Sequence, residues 1–268
     1  KLKPNNRPNK DLYLLKTFEF SEQFVLNNLL KKFYGNKYIQ MAGEELDALY
    51  EGAPDYYMRN GNKIFLFESK DIMLGAEVKQ SFDYNVINED LIRKLYINEK
   101  GKSKAVLQII ANVEKILKNK LPFDNSYKSR NVKIYPILVL HYRMFNVGGL
   151  NKIVNSWFQK ELNRLKDEGL DIGKVQPLVI IDVDTLIFYK DLFTEKKLEL
   201  EECLDNYISN YLNFGILEAK KIKDEQKRRE RLESSILPFK VSLDMFADKK
   251  KLRAVPSDVL MKAYGLFD

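Results

Sequence analysis

The chain has 268 residues, of which 45% are hydrophobic, and it carries a net charge of +7. This length and apolar content suffice for one large domain with a buried core, and the moderate positive charge favours an anionic partner, usually nucleic acid and otherwise acidic lipid. The single histidine, His141, and the single cysteine, Cys203, exclude a disulfide framework, a cysteine metal knot and nearly all zinc-hydrolase and Ser-His-Asp mechanisms.

The cellular setting is constrained by the same composition. A lone cysteine suits a reducing compartment, and no apolar run approaches the roughly 20 residues of a membrane span, so we expect a cytoplasmic protein with no membrane partner. Residues 1–11 are basic and polar and are expected to form a flexible lead-in rather than a secretory signal. The first residue is Lys rather than Met, which is compatible with a piece of a longer protein.

Hydrophobic periodicity and turn signals predict the elements in chain order. Ser21 is the expected N-cap of the first helix and Gly35 its end. Asn60-Gly61 predicts a hairpin turn, and Pro136 inside a buried strand indicates a bulge or an edge position. The predictions are a helix over residues 21–34, a short strand over 38–41, a hairpin around 60–61, an irregular or weakly helical segment over 76–98, helices over 103–118 and 149–166, buried strands over 132–142 and 177–183, and helical structure from about 200 onward.

This order of elements predicts an α/β fold, with a mixed central sheet flanked by helices. After the lead-in, we expect a core domain over residues 12–200 and a helical, basic C-terminal extension over residues 201–268.

The hairpin is expected to bring three charged side chains to one face of the sheet. Side chains of a strand alternate between faces with a period of two. A two-residue loop at Asn60-Gly61 or at Gly61-Asn62 therefore puts Asp55, Glu68 and Lys70 on one face, and the second loop places Asp55 directly opposite Glu68. A three-residue loop would separate them.

Two carboxylates within ~4–6 Å of each other repel, and one takes up a proton unless a cation lies between them. Mg²⁺ binds one or two carboxylates and keeps other positions for water and phosphate oxygen, and it lowers the pKa of its water. Lys70 would orient the attacking water or stabilise developing negative charge. The alternative is a cross-strand salt-bridge cluster on a solvated face, worth roughly 0–1 kcal/mol.

The same residues resemble the signature of the PD-(D/E)XK nuclease superfamily. Pro54-Asp55 is followed, after a short gap, by Glu68-Ser69-Lys70 at the end of an apolar strand. The resemblance spans roughly residues 12–195 and implies a restriction-endonuclease-like core. It also implies that Asp55 and Glu68 hold the metal, that Ser69 lends its backbone carbonyl and that Lys70 serves the nucleophilic water.

Supporting catalytic residues are implied by the same resemblance. Glu22 matches the acidic position on the preceding helix, with Glu44 or Glu45 as the fallback, and Gln108 matches a glutamine on the following helix. The plainer alternatives are that Glu22 only favours the helix dipole and that Gln108 is a surface residue.

The function that the resemblance implies is hydrolysis of DNA phosphodiester bonds by a Mg²⁺-dependent endonuclease, with Mn²⁺ as the alternative ion, in bacterial defence against phage or foreign DNA. Residues 220–231 contain seven basic and three acidic residues. The alternatives for this run are a merely solvated face, which is the usual one, and a surface that follows DNA phosphates through Lys220, Lys221, Lys223, Lys227, Arg228 and Arg229. The rival is a catalytically inactive, nuclease-like DNA-binding or assembly module of a larger complex. A third alternative is an α/β protein that binds an acidic protein partner. A homo-oligomer is compatible with the nuclease, because cutting both strands often needs two active sites.

Other polar residues are expected to be structural. His141 follows a buried strand and is more typical of a core or strand-end histidine than of a catalyst. Asp182 and Asp184 flank Val183 at a strand end, where a structural or N-capping role is expected. Cys203 is expected to be a buried small hydrophobic residue.

Overall fold

The computed structural model describes residue 12, residues 15–16, residue 21 and the ranges 25–35, 38–214 and 216–254. The architecture is α/β, with a five-stranded mixed sheet flanked by helices, as predicted. The strands are β1 (Ile39–Ala42), β2 (Tyr56–Asn60), β3 (Lys63–Lys70), β4 (Lys133–Leu140) and β5 (Val179–Asp182).

The strand order in the sheet is the same as the order in the chain, from β1 to β5. The first three strands form an antiparallel meander, whereas β3, β4 and β5 are parallel. The carboxyl ends of these three parallel strands therefore meet at one edge of the sheet, which is where open α/β folds usually place their sites.

Helices connect the strands and cover the sheet. They are α1 (Asn27–Tyr34), α2 (Glu44–Asp47), α3 (Ala76–Gln80), α4 (Tyr84–Leu95), α5 (Ala105–Leu117), α6 (Leu150–Asp167), α7 (Val183–Phe188), α8 (Lys190–Thr194), α9 (Leu200–Tyr207), α10 (Ile216–Lys220), α11 (Glu225–Ser234) and α12 (Phe239–Lys249). A π-helical turn (Ile208–Leu212) continues α9, and short 3-10 turns occur at Ser129–Asn131, Arg143–Phe145 and Ile172–Lys174. No helix in these described ranges is both long enough and apolar enough to cross a membrane.

The alternation of β3 divides the core into two layers. Phe65 and Phe67 pack into the layer formed with α1, α9 and α12, whereas Ile64 and Leu66 pack into the layer formed with α4, α5 and α6. All four side chains are buried, because helices cover both faces of the strand. The parity places Glu68 and Lys70 on the same face as Leu66, towards α5.

Helix α5 forms because its apolar residues recur at three- and four-residue spacing. Val106, Ile109, Ile110 and Val113 are buried against the sheet, and the helix spans Ala105–Leu117, which confirms the helix predicted over residues 103–118. It is the last helix between β3 and β4, and it lies on the face of the sheet that carries Glu68 and Lys70.

Pro136 lies inside β4, a central strand between β3 and β5, so the edge position is wrong. On the β5 side, the pairing moves from Ile134 with Val175 to Ile137 with Val179, which leaves one more residue on that side. This shift of register agrees with the bulge alternative, because a proline has no N–H to donate to the neighbouring strand.

Two local predictions differ from the structure. Residues 76–98, expected to be irregular or weakly helical, contain α3 and the three-turn helix α4, which begins at Asp83 as an N-cap whose carboxylate accepts the N–H of Asn85 at 2.7 Å. The regular part of the first helix begins at Asn27, and the Ser21 hydroxyl donates to Asp71 at 3.0 Å. Gly35 ends that helix as expected.

The helices that follow residue 200 share an apolar cluster with the sheet. Side chains of α9 and α12, among them Leu204, Phe239 and Leu243, pack in the same layer as Phe65 and Tyr135. Residues on both sides of the boundary expected at position 200 therefore contribute to one continuous core.

Candidate active site

The hairpin has one of the two registers that the sequence allows. Asn60 pairs with Lys63 and Tyr56 with Phe67, so the two-residue loop is Gly61-Asn62. Gly61 has a φ of +58°, the left-handed conformation that such a turn requires and that glycine adopts without a steric penalty. One step beyond the last pair, this register sets Asp55 opposite Glu68.

The structure brings Asp55, Glu68 and Lys70 together at the end of β3. Lys70 Nζ lies 2.5 Å from Glu68 Oε1 and 3.7 Å from Asp55 Oδ2. Asp55 Oδ2 also accepts the backbone N–H of Ser69 at 2.6 Å, which fixes the carboxylate against the strand. The convergence of these three side chains on one face, predicted from alternation alone, is confirmed.

Burial distinguishes the two carboxylates. The Glu68 side chain is 1% exposed, and its Oε2 atom has no hydrogen-bond partner within the described residues. The side chains of Asp55 and Lys70 are 17% and 23% exposed, so the cluster opens to solvent on their side. A buried, unpartnered carboxylate oxygen is costly, and it is the kind of atom that a ligand satisfies.

The electrostatics follow from this burial. Burial, reinforced by the negative charge of Asp55, raises the pKa of Glu68 to about 8 against the opposing effect of Lys70. Burial also raises the pKa of Asp55 above its usual value, and Lys70 and the Ser69 N–H partly offset that increase. Without a further cation, the pair therefore retains a proton at a pH where ordinary carboxyl groups are ionised.

Asp47 is a third acidic residue of the site that the sequence did not single out. It lies at the end of α2, and its negative charge contributes to raising the pKa of both Asp55 and Glu68. The predicted Glu22 lies outside the described residues, as does the side chain of Glu44, and Glu45 is exposed. No periodicity or turn signal marks Asp47, because a four-residue helix carries no sequence pattern of its own.

The donor set suits a hard divalent cation. Asp55 and Glu68 supply carboxylate oxygens, and the unpartnered Glu68 Oε2 is available for coordination. Among the residues that the structure describes, no group of three or more His, Cys, Asp or Glu side chains is placed to hold a metal ion. An ion bound here would therefore take its remaining ligands from water, backbone carbonyl or phosphate oxygen, which is typical of Mg²⁺.

Gln108 lies on α5 and is half-buried, but its side chain makes no hydrogen bond with the charged cluster. The residue one turn further, Asn112, is completely buried. Its Nδ2 donates to the carbonyl of Gly52 at 3.0 Å, and its Oδ1 accepts the hydroxyl of Tyr50 at 2.6 Å. Asn112 thereby fastens the loop that leads into Asp55 against α5.

A sequence signal for Asn112 was available. It lies three residues after Ile109 and four before Ile116, so it belongs to the buried stripe of α5 and not to a solvated face. A polar residue within a buried stripe requires hydrogen-bond partners, and those partners are in the loop before β2.

His141 follows β4 and contacts β3 through Ser69, on the face opposite to Glu68 and Lys70. Its Nε2 lies 2.7 Å from Ser69 Oγ, and burial lowers the pKa of its imidazole. Ser69 thus holds Asp55 through its backbone N–H and His141 through its hydroxyl. This arrangement agrees with the expected strand-end role of His141.

The expectations for Asp182 and Cys203 are confirmed. Asp182 caps α7, where its two carboxylate oxygens accept the N–H and the hydroxyl of Thr185 at 3.0 and 2.6 Å. Cys203 is buried in the core.

The basic run expected to bind nucleic acid lies on α10 and α11 and in the turn between them. Its lysines are exposed. Arg228 pairs with Glu225 at 3.7 Å and Arg229 with Glu233 at 3.4 Å, so part of the charge of the run is compensated within α11.

Comparisons of the chain with protein-family models, with curated proteins and with solved structures found no match.

Proposed function

We propose that this chain is a Mg²⁺-dependent endonuclease that hydrolyses phosphodiester bonds in DNA and that its sheet is a restriction-endonuclease-like core. One observation carries the proposal: Glu68 is buried at the end of β3 with an unpartnered oxygen, Asp55 lies beside it and Lys70 contacts both. Buried acids with raised pKa values are typical of functional sites.

A structural ion pair between the same hairpin and the segment after α5 provides the contrast. Asp124 is buried as well, but it accepts hydrogen bonds from Arg59 Nε at 2.5 Å and from the Tyr57 hydroxyl at 2.6 Å. These partners lower the pKa of Asp124, whereas the pKa of Glu68 is raised. A cluster that served only to stabilise the hairpin would resemble the Arg59–Asp124 pair, with every oxygen satisfied.

The position of the cluster supports the same proposal. Glu68 and Lys70 lie at the carboxyl end of β3, beside the carboxyl end of the parallel strand β4. A hairpin followed by a crossover helix and a parallel strand is the arrangement expected of the proposed core, and ligands of open α/β sheets bind outside the carboxyl ends of the strands.

The residues have distinct roles in the proposed reaction. A divalent ion, when bound, stabilises negative charge on the phosphate and acidifies water. Asp55 and Glu68 would hold it, and the Ser69 N–H keeps Asp55 in its orientation. Lys70, directed by Glu68, positions its ammonium to donate to the attacking water or to a phosphate oxygen. Glu22 and Gln108 are proposed to assist, and Mn²⁺ is proposed as an alternative ion.

The biological setting is proposed from the resemblance of the motif. It is defence against phage or foreign DNA in the bacterial cytoplasm, within a complex or as a homo-oligomer.

Cleavage of supercoiled plasmid tests the activity. We expect the purified chain to nick plasmid with Mg²⁺ or Mn²⁺ and not with EDTA, and Lys70→Ala to lower the rate by about 100-fold or more, because the positioned ammonium is lost. Lys63→Ala is the matched control, since Lys63 lies at the other end of β3 and pairs with Glu201 at 2.7 Å. Its nicking rate should stay at the wild-type level.

Two results would refute the nuclease. Cleavage by Lys70→Ala at the parental rate would remove Lys70 from the chemistry. DNA binding that persists in EDTA, with no cleavage by the parent under any divalent ion, would favour the inactive binding module instead.

A further inference from the structure

A rigid turn joins α4 to α5. Oδ1 of Asn98 accepts the backbone N–H groups of Lys100 at 3.0 Å and Lys102 at 2.8 Å, and the Asn98 N–H donates to the carbonyl of Lys102 at 3.1 Å. Gly101 has a φ of +71°, which suits glycine. We call residues 98–104 the basic turn. Its backbone is fixed by these bonds, so its side chains are displayed from a defined frame.

The lysines of the basic turn form no ion pair with the part of the chain that the structure describes. Lys100, Lys102 and Lys104 have no acidic partner among the residues that the structure describes. The only acid of the turn, Glu99, is paired with Arg93 at 2.9 Å. Three uncompensated like charges within five residues repel one another, so they weaken the turn unless an anionic partner is present.

A groove runs from the basic turn to Asp71, the residue that follows Lys70. Lys104 and Asn98 line it together with the end of α4 and Lys16. Asp71 directly follows Lys70, so their Cα atoms are about 3.8 Å apart. A chain of phosphates lying in this groove would therefore pass from the basic turn to the residue next to Lys70.

The cations of the groove differ in how they are held. Lys94 Nζ donates to the carbonyl of Met73 at 2.7 Å and pairs with Asp90 at 2.5 Å, which braces the wall. Lys16 pairs with Asp71 at 3.0 Å. Within the described ranges Lys104 has no such partner, and it is the N-cap of α5, where no described side chain caps the first N–H groups. The positive end of the helix thus reinforces the lysine at the same place.

We propose that the basic turn and its groove bind the phosphate backbone of the nucleic acid on its way to the active site. The inference deepens the proposed function and rests on it for the identity of the substrate. Nucleic acid is favoured over an acidic lipid surface because Lys104 lines a groove that reaches Asp71, the residue next to Lys70, and a backbone with a regular series of phosphates matches a series of cations along a groove.

Binding measured without turnover tests the proposal. The full chain is titrated into a short fluorescent DNA duplex in EDTA, across a series of KCl concentrations. The variant Lys100→Ala/Lys102→Ala/Lys104→Ala should bind about tenfold or more weakly, and the dependence of log K on log salt should become shallower by about 2–3, since each lost phosphate contact removes ~0.9 of slope. Thermal unfolding confirms that the variant is folded, and the single charge reversal Lys102→Glu repeats the test with one exposed residue.

The matched control removes the same charge from the other end of α5. Lys118→Ala/Lys120→Ala/Lys128→Ala changes three exposed lysines near the start of β4, at the opposite edge of the sheet. Its affinity should stay within about twofold of wild type, because long-range charge alone has a small effect once salt screens it. Equal losses in both triple variants, or no loss in either, would overturn the proposal.

Further arms separate the inference from the proposed function. Vesicles of phosphatidylcholine and phosphatidylserine are titrated in parallel, and tighter binding to vesicles than to DNA through the same lysines would overturn a nucleic-acid role. DNA binding that needs the basic turn, in a protein that never cuts, would refute the nuclease and leave this inference standing. If the Lys100→Ala/Lys102→Ala/Lys104→Ala variant bound and cut DNA normally, this inference would be refuted and the proposed nuclease would stand.

Discussion

Glu68 determines how the site responds to pH, because it is the buried acid with the raised pKa. A carboxyl group whose pKa rises to about 8 on folding holds a proton that the unfolded chain has already released. Its contribution to stability is therefore complete below the unfolded pKa and is lost as the pH rises through the folded pKa. Asp55, whose pKa is also raised, acts in the same direction.

Other buried groups titrate in different ways. The pKa of Asp124 is lowered, so its contribution is lost only as the pH falls below the ordinary range of a carboxyl group. The pKa of His141 is lowered, so this residue gives stability that grows as the pH rises through the range of free histidine. His141 therefore opposes Glu68 within the same window, and a single pH profile would mix the two effects.

A comparison with Glu68→Gln isolates the carboxyl group. In EDTA, the free energy of unfolding of the wild type should fall relative to that of Glu68→Gln between about pH 5 and pH 8, by up to ~1.4 kcal/mol per pH unit for one proton. Urea denaturation of both proteins across this range measures the difference, and the contribution of His141 cancels. Parallel profiles would mean that Glu68 titrates as an ordinary acid and would remove the physical basis of the site.

Addition of Mg²⁺ extends the same experiment. A cation that replaces the proton should stabilise the wild type more at pH 8 than at pH 5, since it competes with fewer protons at the higher pH. Glu68→Gln should gain much less. An equal gain in both proteins at both pH values would place the ion elsewhere.

At the scale of elements, α5 positions the loop that carries Asp55. Asn112 satisfies the Gly52 carbonyl and the Tyr50 hydroxyl from within the buried stripe of the helix. Pro54 and Asp55 lie two and three residues after Gly52, so the start of β2 is anchored to α5 as well as to β3. The helix therefore serves both core packing and the geometry of the charged cluster.

Loss of this anchor should affect stability and cleavage together. Asn112→Ala should destabilise the protein by about 1–3 kcal/mol, because it removes a buried amide that bonds to the Gly52 carbonyl and to the Tyr50 hydroxyl. It should also lower the rate of plasmid cleavage, since Asp55 is no longer held. Tyr50→Phe is the graded variant and should cost about 1 kcal/mol. Urea denaturation and plasmid nicking are measured side by side, and a stable, fully active Asn112→Ala would refute the anchoring role.

Elements with a strong hydrophobic period were predictable from the sequence. Elements that are stabilised mainly by contacts with distant parts of the chain were not. The stripe of α5 and the apolar runs of β4 and β5 bury one or both faces, so hydrophobic pattern alone locates them. Helix α4 was predicted only as an irregular or weakly helical segment, because only Asp90, Leu91 and Leu95 are buried in it and its outer face mixes apolar and polar residues. A stripe so short gives little periodic signal.

The candidate site was likewise predictable only in part. Alternation along β2 and β3 was enough to gather Asp55, Glu68 and Lys70, because a strand offers only two faces. Asp47 and Asn112 act across contacts between elements that are distant in sequence, and no local rule specifies such contacts. The one-residue choice of loop, Gly61-Asn62, also depends on the sheet, since both candidate loops contain the glycine that the turn needs.

For the whole molecule, the sheet has two covered faces, and the chain beyond residue 200 covers much of one of them. Leu204, Tyr207, Phe239 and Leu243 are buried in the layer that contains Phe65. Each such side chain is worth about 1.5–3 kcal/mol relative to exposure, and a typical domain has only about 5–15 kcal/mol of net stability. A chain that ends at residue 200 would therefore leave that face exposed to water, and we do not expect it to fold on its own.

Two substitutions on α12 test this whole-molecule role in the intact chain. Leu243 is 2% exposed and Met245, two residues later, is 44% exposed. Leu243→Ala should lower the free energy of unfolding by about 2–5 kcal/mol through the cavity that it leaves in the core, whereas Met245→Ala should cost less than about 1 kcal/mol. Urea denaturation followed by circular dichroism measures both. If Leu243→Ala proved as mild as Met245→Ala, or if the chain truncated after residue 200 unfolded cooperatively at the midpoint of the full chain, then the C-terminal helices would be an appendage, and the core would be complete without them.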